Sequence, residues 1–346
     1  MKDLVLKLEE DRYLSDLEFK KLIECSDKET IDFLHYRARN VAQKVYGNKV
    51  YIRGLIEFTN YCKNDCYYCG IRKSNSNASR YRLTKDQILE CCDTGYQLGF
   101  RTFVLQGGED GFFTDEKLVD IISTIKSKYN DCALTLSIGE KSKESYKSYF
   151  DAGADRFLLR HETAEKIHYS KLHPDNLSLE NRMNCLYNLK EIGYQVGSGF
   201  MVGSPYQTID SILKDLRFLK ELNPQMVGIG PFIPHKDTKF FDKESGSVEL
   251  TLKLLSIIRL MLPNALIPAT TALGTADNNG REKGVLAGAN VIMPNLSPMD
   301  VRGKYLLYNN KKYTGDEASE SVNNLKVSMK KIGYEVVIDR GDYKTV

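Results

Sequence analysis

Three cysteines that could bind metal lie within one short segment of the chain. Cys62, Cys66 and Cys69 have the spacing C-x3-C-x2-C, directly after the first predicted strand. Three thiolates on one loop can bind three irons of a cubane 4Fe-4S cluster and leave the fourth iron without a protein ligand, open to a substrate. The alternative is a structural zinc site, which needs four ligands, usually as paired C-x2-C elements, and would have to recruit His161 or Cys91.

The segments around these cysteines predict repeated β-α units. Short β-branched runs alternate with longer amphipathic stretches, the pattern of a parallel sheet covered by helices. Capping boxes are predicted at Ser15 with Glu18 and at Ser26 with Glu29, where the first helices begin. An open doubly wound sheet would favour a G-x-G-x-x-G turn after the first strand, and none follows Phe58. The predicted strands are 50–58, 102–105, 133–138, 155–159, 195–201, 226–232, 266–272 and 290–293.

Eight such units predict an α/β fold, a (β/α)8 TIM-type barrel. Residues 1–48 are predicted to form an N-terminal helical extension, 49–308 the barrel, and 309–346 a C-terminal helical tail. One helix of that tail, near 319–332, is expected to pack on the outside of the barrel. Because the chemistry of such a barrel lies at the C-terminal ends of its strands, we expect the functional side chains there and in the loops that follow.

Two predicted strand ends carry polar residues that suit a ligand. The second strand ends in a Gln-Gly-Gly-Glu run at 106–109, where glycines allow a backbone to approach a ligand closely. The fourth strand is followed by Arg160 and Glu162, and Arg182 lies in the next long helix. An arginine can bind a carboxylate through two hydrogen bonds, and a glutamate can accept from hydroxyl groups. The alternative is an ordinary salt bridge between Glu162 and Arg182.

The cysteine spacing, with an aromatic residue before the third cysteine, resembles the radical S-adenosylmethionine (SAM) superfamily. The resemblance implies that the open iron binds the amino and carboxylate groups of SAM, and that one-electron reduction yields methionine and a 5′-deoxyadenosyl radical. It also implies that the Gly-Gly-Glu run contacts the SAM amino group, and it favours a SAM role for Glu162 and Arg182. The cofactor-binding residues that we predict are Tyr68, Gln106, Gly107, Gly108, Glu109, Ser137, Glu162, Arg182 and Met226.

Polar residues also face the predicted interior of the barrel, where burial is costly unless something uses them. Thr135 and Ser137 alternate along the third strand, and Arg156 shares a face with Arg160 if the fourth strand is regular. Such groups could bind an anionic ligand, or they could satisfy one another. The predicted substrate-cavity residues are Thr135, Arg156, Arg160, Thr270 and Thr271, with Tyr305 and Tyr308 over the mouth.

Across residues 50–308 the chain looks like the superfamily branch that contains biotin synthase, methylornithine synthase and the radical SAM maturase of FeFe-hydrogenase, HydE. The phrases that carry this resemblance are 53–58, 159–163, 226–235, 268–272 and 290–295. The greatest similarity is to the maturase family. It implies a step in assembly of the diiron subsite of the hydrogenase H-cluster, on a small anionic metal complex or an amino-acid-derived substrate. It also implies a low-potential electron donor protein and other hydrogenase maturation proteins as partners.

The cysteine pattern bears on the alternatives within that branch. No cysteine follows Cys185, which predicts one 4Fe-4S cluster and no accessory cluster near the C-terminus. Biotin synthase-like sulfur insertion needs a second cluster inside the barrel, and the inner strand ends contain no cysteine. Methylornithine synthase-like rearrangement stays open, although the Arg160-His161 pair favours the maturase. A non-enzymatic metal-binding protein is the alternative from another class.

Composition argues against two classes of partner. The 346 residues carry 49 basic and 46 acidic side chains, a net charge of +3, which gives no strong basic field for nucleic acid. No apolar run approaches the ~20 residues of a membrane span, and acidic residues interrupt the N-terminal segment where a secretory signal would be apolar. We therefore expect a cytoplasmic protein that has neither nucleic-acid nor membrane partners.

Overall fold

The computed structural model describes residues 1–312 and 318–345. None of the helices in these ranges has the length and apolarity needed to cross a membrane. The helices are α1 (Lys2–Asp11), α2 (Asp16–Glu24), α3 (Lys28–Tyr46), α4 (Lys85–Gln97), α5 (Asp115–Lys128), α6 (Lys143–Asp151), α7 (Lys166–Leu172), α8 (Leu179–Ile192), α9 (Ile209–Leu222), α10 (Val248–Met261), α11 (Thr271–Ala276), α12 (Gly280–Leu286), α13 (Met299–Arg302) and α14 (Ala318–Lys331). The strands are β1 (Lys49–Ile52), β2 (Gly54–Thr59), β3 (Thr102–Gly107), β4 (Ala133–Ser137), β5 (Arg156–Leu158), β6 (Gln195–Ser198), β7 (Met201–Val202), β8 (Met226–Val227), β9 (Gly230–Pro231), β10 (Val291–Ile292) and β11 (Glu335–Val337).

The strands form a closed parallel barrel. Six of them are hydrogen-bonded in the order β2-β3-β4-β5-β6-β8, and every neighbouring pair is parallel. Isolated bridges at Leu266 and Pro268 continue the circle from β8 to β10, and β10 pairs with β1. A bridge from Leu55 to Asn295 closes it. The predicted (β/α)8 TIM-type barrel is therefore confirmed, with β1 and β2 as the two halves of its first strand.

The seventh predicted strand, 266–272, is shorter than expected. Leu266 and Pro268 form single bridges, but Thr270 is the N-cap of α11, and its hydroxyl accepts from the Leu273 amide at 3.3 Å. A proline has no N–H to continue a ladder, and a threonine hydroxyl competes with strand formation by capping a helix. Thr270 and Thr271 consequently lie at the start of a helix and not within a strand.

The N-terminal helices pack on the outside of the barrel. α3 lies along α10, and α1 contacts both of them. The capping box predicted at Ser15 and Glu18 is present. At α3 the cap is Asp27 and not the predicted Ser26, since the Asp27 carboxylate accepts from the Thr30 amide at 2.9 Å. A carboxylate is favoured at that position because it also complements the positive end of the helix dipole.

The C-terminal segment covers the N-terminal end of the barrel. α14 corresponds to the helix predicted near 319–332, whereas β11 was not predicted and pairs in parallel with β1. Arg156, the first residue of β5, is fully buried at this end. Its guanidinium donates to Thr102 at 3.1 Å, Gln195 at 3.1 Å, Asp342 at 2.6 Å and the carbonyls of 340–341. The domain boundaries at 48 and 308 stay predictions.

Candidate active site

The three-cysteine loop lies at the C-terminal end of the barrel, directly after β2. Two backbone hydrogen bonds join it to neighbouring segments. The Lys63 amide donates to the carbonyl of Glu109, after β3, at 2.9 Å, and the Tyr67 amide donates to the carbonyl of Leu172, the last residue of α7, at 3.0 Å. The loop is therefore held by two other βα units of the barrel.

A half-buried arginine that the sequence analysis missed holds this loop from behind. The Arg80 guanidinium donates to the carbonyls of Asn60, Ile71, Arg72 and Asn75 at 2.5 to 3.2 Å. Its signal in the sequence is weak, because an arginine at the end of the polar run 74–79 is typical of a solvent-exposed loop. Since one planar group bonds carbonyls on both sides of the three cysteines, it fixes where the loop begins and ends.

The three thiols are half-buried and interact electrostatically. Burial raises the pKa of Cys62 and Cys66, and burial together with the nearby Cys62 raises the pKa of Cys69 to about 12. Neighbouring thiolates are unfavourable alone, whereas bound iron supplies the positive charge that stabilises them. Within the described residues, no three His, Cys, Asp or Glu side chains are arranged around a position for a single ion. A 4Fe-4S cluster does not require that arrangement, because each thiolate binds a different iron.

The Gly-Gly-Glu run after β3 packs against the cysteine loop. A Cβ at Gly108 would lie 2.2 Å from the carbonyl oxygen of Tyr61, so only glycine fits there. The buried Glu109 carboxylate accepts from the Glu140 amide at 3.0 Å and lies 3.1 Å from the Nζ of Lys63. Because Lys63 is largely exposed, this carboxylate could instead bind the amino group of a ligand.

Arg182 lies on α8, near the carboxylate of Glu109. Its Nε donates to Glu140 at 2.6 Å and its Nη1 to the carbonyl of Arg160 at 3.1 Å. Burial alone would lower the pKa of Arg182, but Tyr169 and Glu140 outweigh it and raise that pKa overall. The salt bridge considered from the sequence is thus formed with Glu140, while Glu162 pairs with Arg160.

Arg160 and Glu162, which follow β5, keep unused hydrogen-bonding capacity. Arg160 Nη2 lies 3.0 Å from Glu162 Oε2. The two groups are not aligned for a hydrogen bond, and in the described part of the chain the buried Nε and Nη2 of Arg160 and Oε2 of Glu162 have no hydrogen-bond partner. Buried polar atoms without partners are rare in folded proteins because they are costly. Their presence here fits a site that supplies the missing partners from a polar ligand.

The aromatic residue of the loop, Tyr68, is held by α7. Its hydroxyl lies 3.1 Å from Nε2 of His173, and Nδ1 of His173 lies 3.0 Å from the carbonyl of Tyr169. Burial lowers the pKa of His173 to about 3, so the imidazole is neutral. Because a carbonyl can only accept, Nδ1 carries the hydrogen and Tyr68 donates to Nε2. This fixes the orientation of the ring between Cys66 and Cys69.

Two polar residues inside the barrel are also short of partners. Among the described residues, the buried Thr135 Oγ1 has no hydrogen-bond partner, and neither have Nε and Nη2 of Arg53. Arg53 Nη1 donates to the sulfur of Met226 at 2.9 Å. Burial, and then the charge of Arg156, lower the pKa of Arg53 well below its usual value. The sequence analysis missed Arg53, although a charged residue within the apolar run 50–58 was a visible signal.

The segment 304–309 covers one side of the cysteine loop. The Gly70 amide donates to the carbonyl of Leu307 at 2.9 Å. Tyr305 and Tyr308 flank this contact, and burial raises the pKa of both. The two tyrosines thus lie on the segment that contacts the cysteine loop, and their role in covering the mouth stays a prediction.

The other predicted residues are divided between the site and more distant places. Gln106 and Ser137 are register partners at the ends of β3 and β4, next to the Gly-Gly-Glu run. Thr270 and Thr271 lie at the start of α11, where the Thr270 hydroxyl is used as a helix cap. The structure does not bring Arg156 to the cysteines, because its guanidinium is bonded at the opposite end of the barrel.

A buried ion pair that the sequence analysis missed joins the first strand to the segment after the mouth. Glu57, on β2, pairs with the Nζ of Lys311, and Asn295 donates to its other carboxylate oxygen at 2.8 Å. Lys311 also donates to the carbonyl of Tyr305 at 2.9 Å. In the sequence, this ion pair is indicated by Glu57, an acidic residue within an otherwise apolar strand.

Comparisons with known proteins agree with this geometry. The sequence profile of the radical SAM superfamily matches residues 56–219. The FeFe hydrogenase maturase subunit HydE of Thermotoga maritima is 45% identical over 307 residues, which cover 89% of this chain and 87% of that protein. The 3-methylornithine synthase of Methanosarcina acetivorans is 31% identical over 86% of this chain and 85% of its own length. The crystal structure of a methylornithine synthase superposes with a TM-score of 0.84 at 28% identity, covering 96% of this chain and 97% of that one.

Proposed function

The chain belongs to the radical SAM superfamily and, within it, to the HydE family of FeFe-hydrogenase maturases, and from this premise we propose that it acts in assembly of the diiron subsite of the H-cluster. The observation that carries the proposal is the three-cysteine loop at the C-terminal end of the barrel, in a chain so similar to a HydE. The superfamily implies one 4Fe-4S cluster and SAM as its cofactors.

The cysteine loop would bind the cluster, and residues near the neighbouring strands would bind SAM. Cys62, Cys66 and Cys69 would hold the cluster, and cluster and SAM together supply a 5′-deoxyadenosyl radical when bound. The buried Glu109 carboxylate complements an ammonium group, and the Arg182 guanidinium complements a carboxylate. These two fixed charges therefore suit the methionyl end of SAM and would orient it.

Glu162 and Arg160 suit the other end of the same cosubstrate. Since Glu162 Oε2 is buried and has no hydrogen-bond partner among the described residues, it can accept from ribose hydroxyls. Arg160 lies beside it with donors to spare. We propose that both groups recognise the nucleoside part and hold it near Tyr68.

The barrel interior favours a small anionic substrate. Arg53 is a buried cation with two nitrogens that lack hydrogen-bond partners in the described ranges, and Thr135 adds a buried hydroxyl in the same condition. An anion would stabilise both, because charge-assisted hydrogen bonds are stronger than neutral ones. We therefore assign a small anionic metal complex or an amino-acid-derived molecule to this space, with Met226 beside it.

The alternatives have less support. Methylornithine synthase is the second candidate, but the similarity to the maturase is the greater. Biotin synthase-like chemistry would need a second cluster inside the barrel, where the strand ends carry no cysteine. As partners we propose a low-potential electron donor protein and other hydrogenase maturation proteins, in the cytoplasm.

The cofactor part of the proposal is tested by anaerobic reconstitution with iron and sulfide. We expect one 4Fe-4S cluster per chain and, with SAM and a reductant, formation of 5′-deoxyadenosine. Cys66→Ala should abolish this product, whereas Cys92→Ala, at a buried cysteine on α4, should retain it. Full product formation by Cys66→Ala would refute the assignment of the loop.

The maturase part is tested in a hydrogenase-producing host. Deletion of the gene should abolish hydrogenase activity without creating a requirement for biotin. A strain that lacks the protein and still makes normal hydrogenase would contradict the proposal, whatever the outcome of the reconstitution.

A further inference from the structure

Glu162 lies at the apex of a strained turn. Its φ is +64°, a region that residues other than glycine rarely adopt, and the Thr163 amide donates across it to the carbonyl of His161 at 2.8 Å. A hydrogen bond between residues two apart around a positive φ defines the rare form of γ-turn, which persists only where the surroundings hold it. The question is therefore which residues hold Glu162 in this conformation.

One side of the turn is held by the neighbouring strand segment. The Glu162 amide donates to the carbonyl of Gly199 at 3.1 Å, and the Met201 amide donates to the carbonyl of Glu162 at 3.3 Å. These bonds fix the backbone before and after Glu162 in the direction along the sheet. They leave the following residues, 163 and 164, to be held from elsewhere.

The imidazole of His161 fills the space behind the turn. It is fully buried against the rings of Phe200 and Phe218, at centroid distances of 5.9 and 4.9 Å. Its Nδ1 lies 2.9 Å from the hydroxyl of Ser198, which donates its own hydrogen to the carbonyl of Leu159 at 3.1 Å. Because that hydroxyl hydrogen is already used, Nδ1 must be the donor to Ser198.

The other imidazole nitrogen faces a buried acid on α9. Nε2 of His161 lies 3.3 Å from Oδ1 of Asp215, and both side chains are fully buried. The two groups are in polar contact but are not aligned for a hydrogen bond, since Nε2 of His161 and Oδ2 of Asp215 have no hydrogen-bond partner among the described residues. The same carboxyl group accepts from the Ala164 amide at 2.5 Å. Burial raises the pKa of Asp215 and lowers the pKa of His161 to about 3, so burial favours the neutral form of both groups. Asp215 is thereby hydrogen-bonded to the backbone after Glu162 and lies against the side chain before it.

We infer that Asp215 and His161 are positioning residues, which hold the 160–164 turn so that Glu162 and Arg160 face the cosubstrate. Neither residue touches the ligand in this inference, which rests on the proposed role of Glu162 in binding SAM. The assignment is independent of the cysteine loop, because the pair lies behind β5 and β6, where His161 bonds to Ser198 and Asp215 bonds to the turn. It gives a reason for a buried acid on the apolar face of α9.

Two substitutions of Asp215 separate hydrogen bonding from packing. In Asp215→Asn, a change at nearly the same size, the amide oxygen can accept from Ala164, which keeps the hydrogen bond that Asp215 makes to the turn. In Asp215→Leu, whose side chain is larger and apolar, that hydrogen bond is not possible. For the cluster-loaded protein we expect the SAM dissociation constant from anaerobic equilibrium dialysis to change less than about threefold in the first variant and to rise about tenfold or more in the second. Iron content should be the same in both.

A double-mutant cycle tests whether Asp215 acts through Glu162. We expect Asp215→Leu to weaken SAM binding in the parent and to have a much smaller effect in a Glu162→Ala background, because one of the two groups that it positions is gone. Leu219→Ala, at a fully buried residue of α9, is the control for general destabilisation and should lower the melting temperature without changing SAM affinity. Equal and additive losses in both backgrounds would overturn the inference.

A measurement on the cluster-free protein does not depend on SAM at all. Amide hydrogen exchange of the peptide containing Ala164 should accelerate in Asp215→Leu and stay protected in Asp215→Asn. Ser198→Ala is a milder second variant if Asp215→Leu fails to fold, and it should loosen the same peptide. Parent protein that binds no SAM would refute the proposed function, whereas parent binding with unchanged Asp215→Leu and Ser198→Ala would refute only the positioning role.

Discussion

Arg156 is the first residue of β5, and Arg160 follows the same strand four residues later. The two guanidinium groups differ in how many hydrogen-bond acceptors surround them. Arg156 lies at the N-terminal end of the barrel, where each of its three guanidinium nitrogens has at least one acceptor. Arg160 lies at the C-terminal end, where its buried Nε and Nη2 have no hydrogen-bond partner among the described residues. An arginine at the N-terminal end thus has acceptors for all its guanidinium nitrogens, and we call this end saturated. An arginine at the C-terminal end lacks acceptors for two of them, and we call that end unsaturated.

The difference separates stability from function within one fold. At the N-terminal end the chain itself supplies the acceptors, since the segment after β11 brings Asp342 and two carbonyls to Arg156. At the C-terminal end the chain leaves Arg160 and Glu162 with buried atoms that a ligand could satisfy. A barrel of this kind places its chemistry at the second end, and the cost of the unsatisfied groups there is offset by binding.

The largest expected effect comes from breaking the saturated end. Arg156→Leu should lower the free energy of unfolding by about 3 kcal/mol, because it leaves several acceptors without their donor in a buried place. SAM affinity should stay the same. Chemical denaturation of the cluster-free protein measures the first quantity, and Arg101→Leu, which removes a more exposed pair with Asp131, is the matched control. An equal loss in both variants would contradict the comparison.

Breaking the unsaturated end should have the reverse pattern. Arg160→Met removes buried atoms that have no hydrogen-bond partner within residues 1–312 and 318–345, so the free energy of unfolding should change by less than about 1 kcal/mol. Formation of 5′-deoxyadenosine should fall about tenfold or more, since a charge-assisted contact to the ligand is lost. A variant that is strongly destabilised but fully active would show that Arg160 belongs with Arg156.

Sequence reasoning located the site better than it located the partners of individual side chains. The cysteine loop, the Gly-Gly-Glu run and the strands around them follow from local patterns, namely spacing, turn residues and apolar runs. β11 could not be predicted, because three half-exposed residues pair with β1 from the other end of the chain. Arg156 was assigned to the cavity because alternation gives the face of a strand but not the end of the barrel at which a long side chain finds its acceptors.

Some of the missed residues did leave a signal. Arg53 and Glu57 interrupt an apolar strand, where a charged side chain requires a partner. Asp215 occupies the apolar face of α9, three residues after Ile212 and four before Leu219. A charged residue at an apolar position of a regular element is therefore the pattern to examine first. Arg80 had no such signal, because its acceptors are backbone carbonyls of an irregular loop.

The two ends of the barrel should also respond to pH with opposite signs. Burial alone would raise the pKa of Asp342, but Arg156 and Arg340 outweigh it and lower that pKa, so its contribution to stability is lost as the pH falls. The three thiols have raised pKa values in the cluster-free protein, so stability is lost as the pH approaches and passes the ordinary thiol pKa of about 9.

This gives a measurable difference between cluster-free and cluster-loaded protein. In the loaded protein the cysteines are already thiolates, so alkaline pH should not act through them. We expect the stability difference between the two forms to grow by about 1 kcal/mol from pH 7 to pH 9, from the three coupled thiols. Anaerobic thermal unfolding of both forms over this range measures it, and a constant difference would contradict the view that burial and mutual repulsion keep the free thiols protonated.

The smallest expected effect concerns His173, whose imidazole is saturated although it lies at the unsaturated end. Both of its nitrogens are used, one by the carbonyl of Tyr169 and one by the hydroxyl of Tyr68. His173→Phe retains the ring stack on Tyr169 and removes both side-chain hydrogen bonds, although the Tyr169 carbonyl keeps the His173 amide as a donor. Because Tyr68 loses its acceptor, cluster loss to a chelator should accelerate about threefold. Tyr68→Phe should have a similar effect, and the double variant should be no worse than either single one, because all three lack the same hydrogen bond.

Additive effects would show that His173 supports the loop by a second route. Since the pKa of His173 is lowered to about 3, the chelator rate should not change with pH between 6 and 8 through this residue.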